Sequence, residues 1–479
     1  MISKKPTLND SDPKKYFESV LYKTDTDNHW SWITDDADGL VGDFAGESKT
    51  FGYNIGSFIQ IDGTIYAVLR YVFAKSAASE AGLQRLDLIG KVDGQPITSE
   101  KGEDGKNYVS NRDYNILTGD NPATFTTYRY ANGKIVLDKK EVKVTPRVTK
   151  TDPVLFDMVY TIGDKKIGYL FYTDFIANFN YRLYEVFSKF KNEGVTDLVL
   201  DLRYNLGGGV DAASYLVSLF APEESVKAGS ALTKLSYNKF LNDIFGSYRD
   251  INLGIYQKED VPDEDGKILY KSAPNPLGAN LSINKVYIIG TDNSASASEL
   301  TIFCSRAIMG DANVIHIGGE TIGKYTASRT IHPYSDKGSW PVYVEDKLST
   351  SQKNIFKNWA MQPIVAIYTD KNGKDFINPG YLEPDYYIEE GLRNKELIDL
   401  WRPIGDTEDV LLGQAIYLIT GDESYKPIQT RSTYSNQNQI MRFKSEKDMA
   451  KPLNLDNIKL TPEDFEKIRK MRELENKQN

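Results

Sequence analysis

At 479 residues the chain is longer than a single hydrophobic core ordinarily serves, so two to four domains are expected. With 26% charged and 40% apolar residues it has the composition of an ordinary globular chain, and no apolar run reaches bilayer-spanning length. A net charge of −9 without a basic stripe argues against a nucleic-acid partner, and a lone cysteine, Cys304, excludes an intrachain disulfide and a cysteine-built zinc site.

Residues 1–48 are polar. A short helix is expected in "DPKKYFESVLYK" after Asp12, followed by the aromatic "HWSWI". The opening "MISKKPTLNDSDPKK" has no apolar signal region, which suggests either a cytoplasmic protein or a chain that begins after a removed leader. Residues 49–148 turn to short β runs broken by turn signals such as Asp93-Gly94 and Asn132-Gly133. Within them "KSAASEAGLQRLDLIGKVDGQPI" reads as a short helix ending at Gly82, a strand, a tight turn and a second strand. This arrangement resembles a PDZ domain of the bacterial, circularly permuted sort, with Leu86 where such domains usually carry glycine. On that resemblance "FGYNIG" would be the carboxylate-binding loop. Gly52, Tyr53, Asn54, Ile55 and Gly56 would then receive a peptide C-terminus on backbone amides, and Ile116 in "RDYNILTG" would lie on the helix that walls the groove. A β module with no ligand is the alternative.

Residues 149–395 alternate apolar strands, "KIGYLFYTDF", "DLVLDLRYN" and "KVYIIGTDN", with amphipathic stretches such as "YRLYEVFSKFKNEG", a pattern that suggests an α/β core. After one strand comes "NLGGGVDAASYL". Three glycines before a helix start let backbone amides approach a negative charge. No glycine-lysine-serine/threonine follows and the spacing is not the dinucleotide fingerprint, so an oxyanion hole fits this turn better than a nucleotide site. After another strand, "TDNSASASEL" sets Ser294, Ser296 and Ser298 on alternate positions. Ser296 with Glu299 reads as a helix capping box, or Ser296 is a nucleophile. A nucleophile needs a base. The histidines are His29, His316 and His332, none in surroundings usual for a catalytic histidine, and Lys324 lies in the glycine-flanked turn "GGETIGKYTAS". Lysine can serve only if burial lowers its pKa; an exposed loop lysine is the alternative.

The order of a PDZ-like segment, "DLRYNLGGG", "SASASE" and "GETIGK" resembles the carboxyl-terminal processing, or tail-specific, proteases of the S41 peptidase family, over roughly residues 50 to 390. The resemblance implies a crotonase/ClpP-like protease core of α/β (α+β multidomain) class with an inserted PDZ-like β module. It implies Ser296 as nucleophile, Lys324 as general base, and the amides of Gly208 and Ala297 as oxyanion hole. It also implies cleavage of polypeptides near a free C-terminus without metal or nucleotide, and a periplasmic or cell-envelope setting, often as a lipoprotein. The family commonly has glutamine four residues after the lysine, where this chain has Ser328. A catalytically silent peptide-binding protein and a serine hydrolase using His316 are the alternatives. Residues 222–280 are a candidate cap, and 396–479 a polar tail with a surface helix after Thr461. Glu320 is expected to point away from Lys324, which should have no close carboxylate.

Overall fold

The computed structural model describes residues 12–102, 105–238, 242, 249–262, 266, 268–334, 348–392, 395–427, 440–441, 453–456 and 470. The helix expected after Thr461 lies outside them except for Lys470, which is helical and exposed. The helix after Asp12 runs Pro13–Val20, with the Asp12 carboxylate accepting Lys14 N and Lys15 N and proline in the first turn, where its missing N–H costs nothing.

Residues 53–144, joined by Ile440–Met441, build a sheet whose strands follow the spatial order Lys134–Val144, Ala123–Ala131, Leu88–Val92, Thr64–Val72, Tyr53–Ile61, Ile440–Met441, Asn107–Val109, Ser99–Lys101. One face closes over Phe51, Ile55, Phe58, Leu69, Val109, Leu117 and Phe125. The helix Ala77–Glu80 ends before Gly82, and Asp93 and Gly94 turn the chain with positive φ (48° and 77°). Leu86, where glycine was the usual residue, is nevertheless held at φ 70°, a left-handed backbone that costs a Cβ-bearing residue about 1–2 kcal/mol. Its N–H donates to Leu69 O at 2.8 Å, which holds the turn onto the neighbouring strand.

The second sheet has the order Val154–Ile162, Lys165–Tyr172, Asp197–Asp201, Val286–Gly290, Val314–Gly318, Tyr386–Tyr387. Its first pair is antiparallel and the rest are parallel. Both faces are covered, which explains the unbroken apolar runs in its strands. Leu198, Leu200, Val286 and Ile288 meet the helices Asn180–Glu193, Val210–Phe220 and Ala297–Met309. Val199, Tyr287 and Ile289 meet the helix Val410–Thr420 and the outer residues Tyr66, Val68 and Tyr71 of the first sheet. A third sheet, ordered Arg249–Asn252, Ala231–Tyr237, Ile364–Asp370, Thr326–Ser328, Leu453–Asn454, is antiparallel except at its last pair.

The α/β, crotonase/ClpP-like core expected from the sequence is therefore corrected. Parallel pairing is confined mainly to one sheet, mostly antiparallel sheets accompany it, and the class is α+β. The alternation of strands and helices in the central third of the chain represented that one sheet and overstated its share of the fold.

Candidate active site

The strand Asp197–Asp201 leads into the turn at Gly207 and Gly208, and the strand Val286–Gly290 leads into the serine cluster; the two strands are parallel neighbours, so both turns emerge from the same edge. Asn205 ties them together. Its side chain accepts Gly207 N (2.9 Å) and donates to Tyr172 O (3.0 Å), while its carbonyl accepts Ala295 N (3.1 Å) and Ser298 Oγ (2.8 Å). Gly207 has φ 108°, and a Cβ there would stand 2.7 Å from Ser296 Cβ. Gly208 has φ 137°, and its Cβ would stand 2.3 Å from Phe175 O. Only glycine fits either position.

The three serines separate by their partners. Ser294 Oγ donates to Leu202 O at 2.7 Å and Ser298 Oγ to Asn205 O, so both flanking hydroxyls hold the turn. Ser296 Oγ is buried and has no hydrogen-bond partner among the described residues. Its backbone sits at φ 55°, ψ −108°, a strained conformation at the start of the helix Ala297–Met309. Ser296 and Glu299 take the arrangement of the expected capping box, with Ser296 N donating to Glu299 Oε2 at 2.7 Å, while Ser296 Oγ makes no hydrogen bond of ordinary length. The N–H groups of Gly208 and Ala297 donate to no acceptor in the chain among the described residues. Both remain available to a developing oxyanion.

Glu299 reaches further than a cap. It is fully buried; Oε2 also accepts Lys324 N (2.8 Å), and Oε1 accepts Gly323 N and Thr321 Oγ1 (both 2.6 Å). One carboxylate oxygen thus holds the backbones of Ser296 and Lys324 together. Tyr368 OH repeats the link from another side, donating to Ser296 O (3.1 Å) and facing Lys324 O at 3.4 Å. Burial raises the Glu299 pKa, opposed by these four hydrogen bonds.

Lys324 is 1% exposed. Burial pushes its pKa down to about 7, against the charges of Asp25 and Glu299, which act to raise it. The expectation that no carboxylate would act on Lys324 is thus corrected, and the two that do are Asp25 and Glu299, not Glu320. Asp25 arrives from the N-terminal segment. Its carboxylate accepts Ser31 N (2.7 Å) and Ser31 Oγ (2.6 Å), Ser31 Oγ accepts Ile364 N (2.9 Å), and Trp30 packs edge-on against Tyr325. Ser328, in place of the usual glutamine, donates to Gln362 Oε1 at 2.5 Å, so a glutamine side chain does stand beside this strand, supplied by another element.

His316 lies on the strand Val314–Gly318, buried, its Nδ1 3.2 Å from Glu383 O and its pKa pushed down to about 4 by burial. Among the described residues no hydrogen bond joins it to Ser296. His29 is exposed at a helix end, and His332 is buried.

Of the residues expected to bind a peptide C-terminus, Tyr53, Asn54, Ile55 and Gly56 lie in the first sheet, Gly52 just before it and Ile116 on the helix Asn111–Thr118. Gly52 N donates to Thr50 Oγ1 at 3.1 Å, and Tyr53, Asn54 and Ile55 pair with Val72, Tyr71 and Leu69. Gly56 is pressed against Arg70, with a Cβ position 2.3 Å from Arg70 Cγ. Tyr53 and Ile116 pack on the same apolar cluster, and Tyr53 OH donates to Leu117 O at 2.7 Å.

Sequence reasoning missed Glu299 as a clamp, and Asp25, Tyr368 and Gln362 altogether. The S/T-x-x-E spacing pointed to Glu299; nothing local signals the other three.

Residues 166–388 match the sequence pattern of Peptidase family S41. A probable CtpA-like serine protease of Staphylococcus epidermidis is 24% identical over 335 residues, 70% of this chain and 55% of the relative. A second, from another strain of that species, is 23% identical over the same shares. The chain thus spans about half the length of the curated relatives it matches. The crystal structure of a putative S41 protease from Bacteroides fragilis superposes with a TM-score of 0.63 at 22% identity, covering 88% of this chain and 93% of that one. That likeness gives the fold as the α+β architecture of this protease type and overturns the crotonase/ClpP-like core.

Proposed function

We propose that this chain, whose residues 166–388 match peptidase family S41, is a serine endopeptidase that cleaves polypeptides near their C-termini with a Ser296–Lys324 dyad. The observation that carries the reading is a fully buried lysine, its pKa pushed down to about 7, whose backbone shares one carboxylate oxygen with that of a strained serine.

Neutral Lys324 takes the Ser296 proton as Oγ attacks the peptide carbonyl carbon. The oxygen of the tetrahedral intermediate is held by the Gly208 and Ala297 amides. The C–N bond then breaks and Lys324 returns the proton to the leaving amine; water attacks the acyl-enzyme with Lys324 again as base, the ester bond to Ser296 Oγ breaks to release the carboxylic product, and Lys324 returns the proton to Oγ. Residues 49–148 act as the PDZ-like unit that receives the substrate tail, 149–395 as the protease core, and 222–280 as a cap over it. In support, Tyr53, which follows Gly52 and opens the strand Tyr53–Ile61, donates its OH to Leu117 O of the helix Asn111–Thr118 at 2.7 Å. By resemblance the setting is the periplasm or cell envelope; among the described residues no helix is long and apolar enough to cross a membrane.

The test is incubation with an unfolded protein. Wild type is expected to cleave it and Ser296→Ala to lose cleavage while keeping its unfolding temperature within a few degrees. Cleavage by Ser296→Ala at the wild-type rate would remove the mechanism. Activity that survives in Lys324→Ala and is lost in His316→Ala would move the base role to histidine.

A further inference from the structure

The last part of the chain reaches two strands, one in the first sheet and one that follows Lys324. The backbone of Ile440–Met441 enters the first sheet beside Tyr53–Ile61, antiparallel to it at Phe58, and parallel to Asn107–Val109 on its other side. This is the edge onto which a peptide would add as a strand. Leu453–Asn454 then pairs parallel with Thr326–Ser328, the strand that follows Lys324 directly (Ala327 with Leu453, Ser328 with Asn454).

The second contact also reaches the glycine turn. Asn454 N donates to Gly208 O at 2.9 Å, and Leu455 N donates to Ser328 O at 3.1 Å. The segment is therefore stitched between the proposed oxyanion turn and the lysine strand. Leu453 and Leu455 are fully buried in the main core cluster, and Asp456 anchors the end by accepting Thr330 N at 2.8 Å. Apolar side chains two residues apart enter the protein while the backbone between them pairs, which is how an added strand is read.

The direction of travel separates this segment from a substrate. A polypeptide whose C-terminus sits near Gly52–Gly56 would, from N to C, pass Ser296 first and the first sheet second. The tail meets the first sheet at 440 and the lysine strand at 453, in the opposite order. It occupies both edges without reproducing one continuous bound substrate.

We propose that residues 440–441 and 453–456 are an intramolecular strap on the two substrate-pairing edges, so that the enzyme rests self-occluded and a polypeptide with apolar residues at alternate positions must displace it. This rests on the function proposed above, and the test separates the two by reading binding independently of catalysis. Asn454→Pro deletes the N–H that reaches Gly208 O, and Asn454→Ala keeps it. In a Ser296→Ala background, fluorescein-labelled casein is expected to bind about tenfold more tightly to Asn454→Pro than to Asn454→Ala. In the Ser296 enzyme, the same change should raise kcat/KM on casein by a similar factor. Should Asn454→Pro unfold, a site-specific cleavage sequence at positions 444–449 lets the strap be cut in the folded full-length chain, with binding measured before and after. Tighter binding without any cleavage of casein would uphold the strap and sink the protease reading. Unchanged or weaker binding, in the proline variant or after the cut, would overturn the strap and make the tail a structural strand, whatever the activity.

Discussion

Ser296 and Lys324 were visible in the sequence because their chemistry leaves local marks, a serine on alternate positions and a lysine between glycines. Two properties on which their proposed pairing rests were not visible. The strain at Ser296 depends on where the preceding strand delivers the chain, and the depressed pKa of Lys324 depends on burial by distant elements. The latter yields a pH prediction. Only neutral Lys324 can accept the serine proton, so activity should rise with pH through about 7, and Lys324→Arg should be inactive because a guanidinium stays protonated. Stability carries the same signature. The folded pKa lies below the ordinary 10.5, so between about 7 and 10.5 the unfolded chain binds the extra proton. Stability therefore rises with pH across that window, and below it a constant penalty of a few kcal/mol, on the order of 1.4 kcal/mol per pKa unit, remains. Lys324→Met should thus raise the unfolding temperature at pH 7 while abolishing activity, and flatten the stability profile above pH 7. Thermal unfolding at several pH values checks this, and a less stable Lys324→Met would mean that the lysine is held charged by its carboxylate neighbours.

Among the elements, the glycine turn was legible in kind, since three glycines before a helix say that backbone must come close to something. What it comes close to was not legible: Phe175 and Ser296 are far from it in sequence. The turn is also where substitution separates strain from function. Gly208→Ala places a Cβ 2.3 Å from a backbone oxygen at φ 137°, so the turn must move and carry its amide away from the oxyanion position. The expected result is a loss of about 10²-fold or more in kcat with KM little changed, together with destabilisation of roughly 1–3 kcal/mol. Gly163→Ala is the control, with φ 60° but nothing within 4 Å of its Cβ. It should lose about 1 kcal/mol of stability and no activity. Equal activity losses in the two would show that the turn has no catalytic role. The strand and turn around Asp93-Gly94 were readable for a similar reason, because turn residues declare their backbone requirements locally.

For the whole molecule, what the sequence hid is long-range: the antiparallel sheets that flank the parallel one, the N-terminal carboxylate beside Lys324, and the tail strands at 440 and 453. The same holds for the charge cluster that joins the parts. Arg203, fully buried just after the strand Asp197–Asp201, pairs with Asp201 (2.7 Å), with Asp409 at the start of the helix Val410–Thr420 (2.8 Å), and with Glu390 (3.0 Å). Glu390 also takes Arg85 from the first sheet's side at 2.9 Å, and Arg70 lies over the Tyr204 ring at 4.6 Å. Burial is the largest influence on Asp409 and Glu390 and acts to raise their pKa, but the Arg203 and Arg85 charges and the hydrogen bonds to each carboxylate together outweigh it and both are lowered; for Asp201 burial wins and the pKa is raised. Asp409 and Glu390 therefore contribute stability that is present above pH about 4 and lost as pH falls through their lowered values, while Asp201 opposes them. Removing the arginine leaves buried carboxylates without their cation, so Arg203→Met should cost about 3–5 kcal/mol at pH 7. The pH dependence should also invert. Without Arg203 the carboxylates titrate above their unfolded values, the folded state binds more protons, and the variant becomes more stable as pH is lowered from 7 toward 5, where wild type is nearly flat. Denaturant unfolding of the two proteins at pH 5 and pH 7 measures this directly. A variant with wild-type stability and slope would mean that the cluster, for all its burial, does not hold the first sheet, the core and the C-terminal helix together.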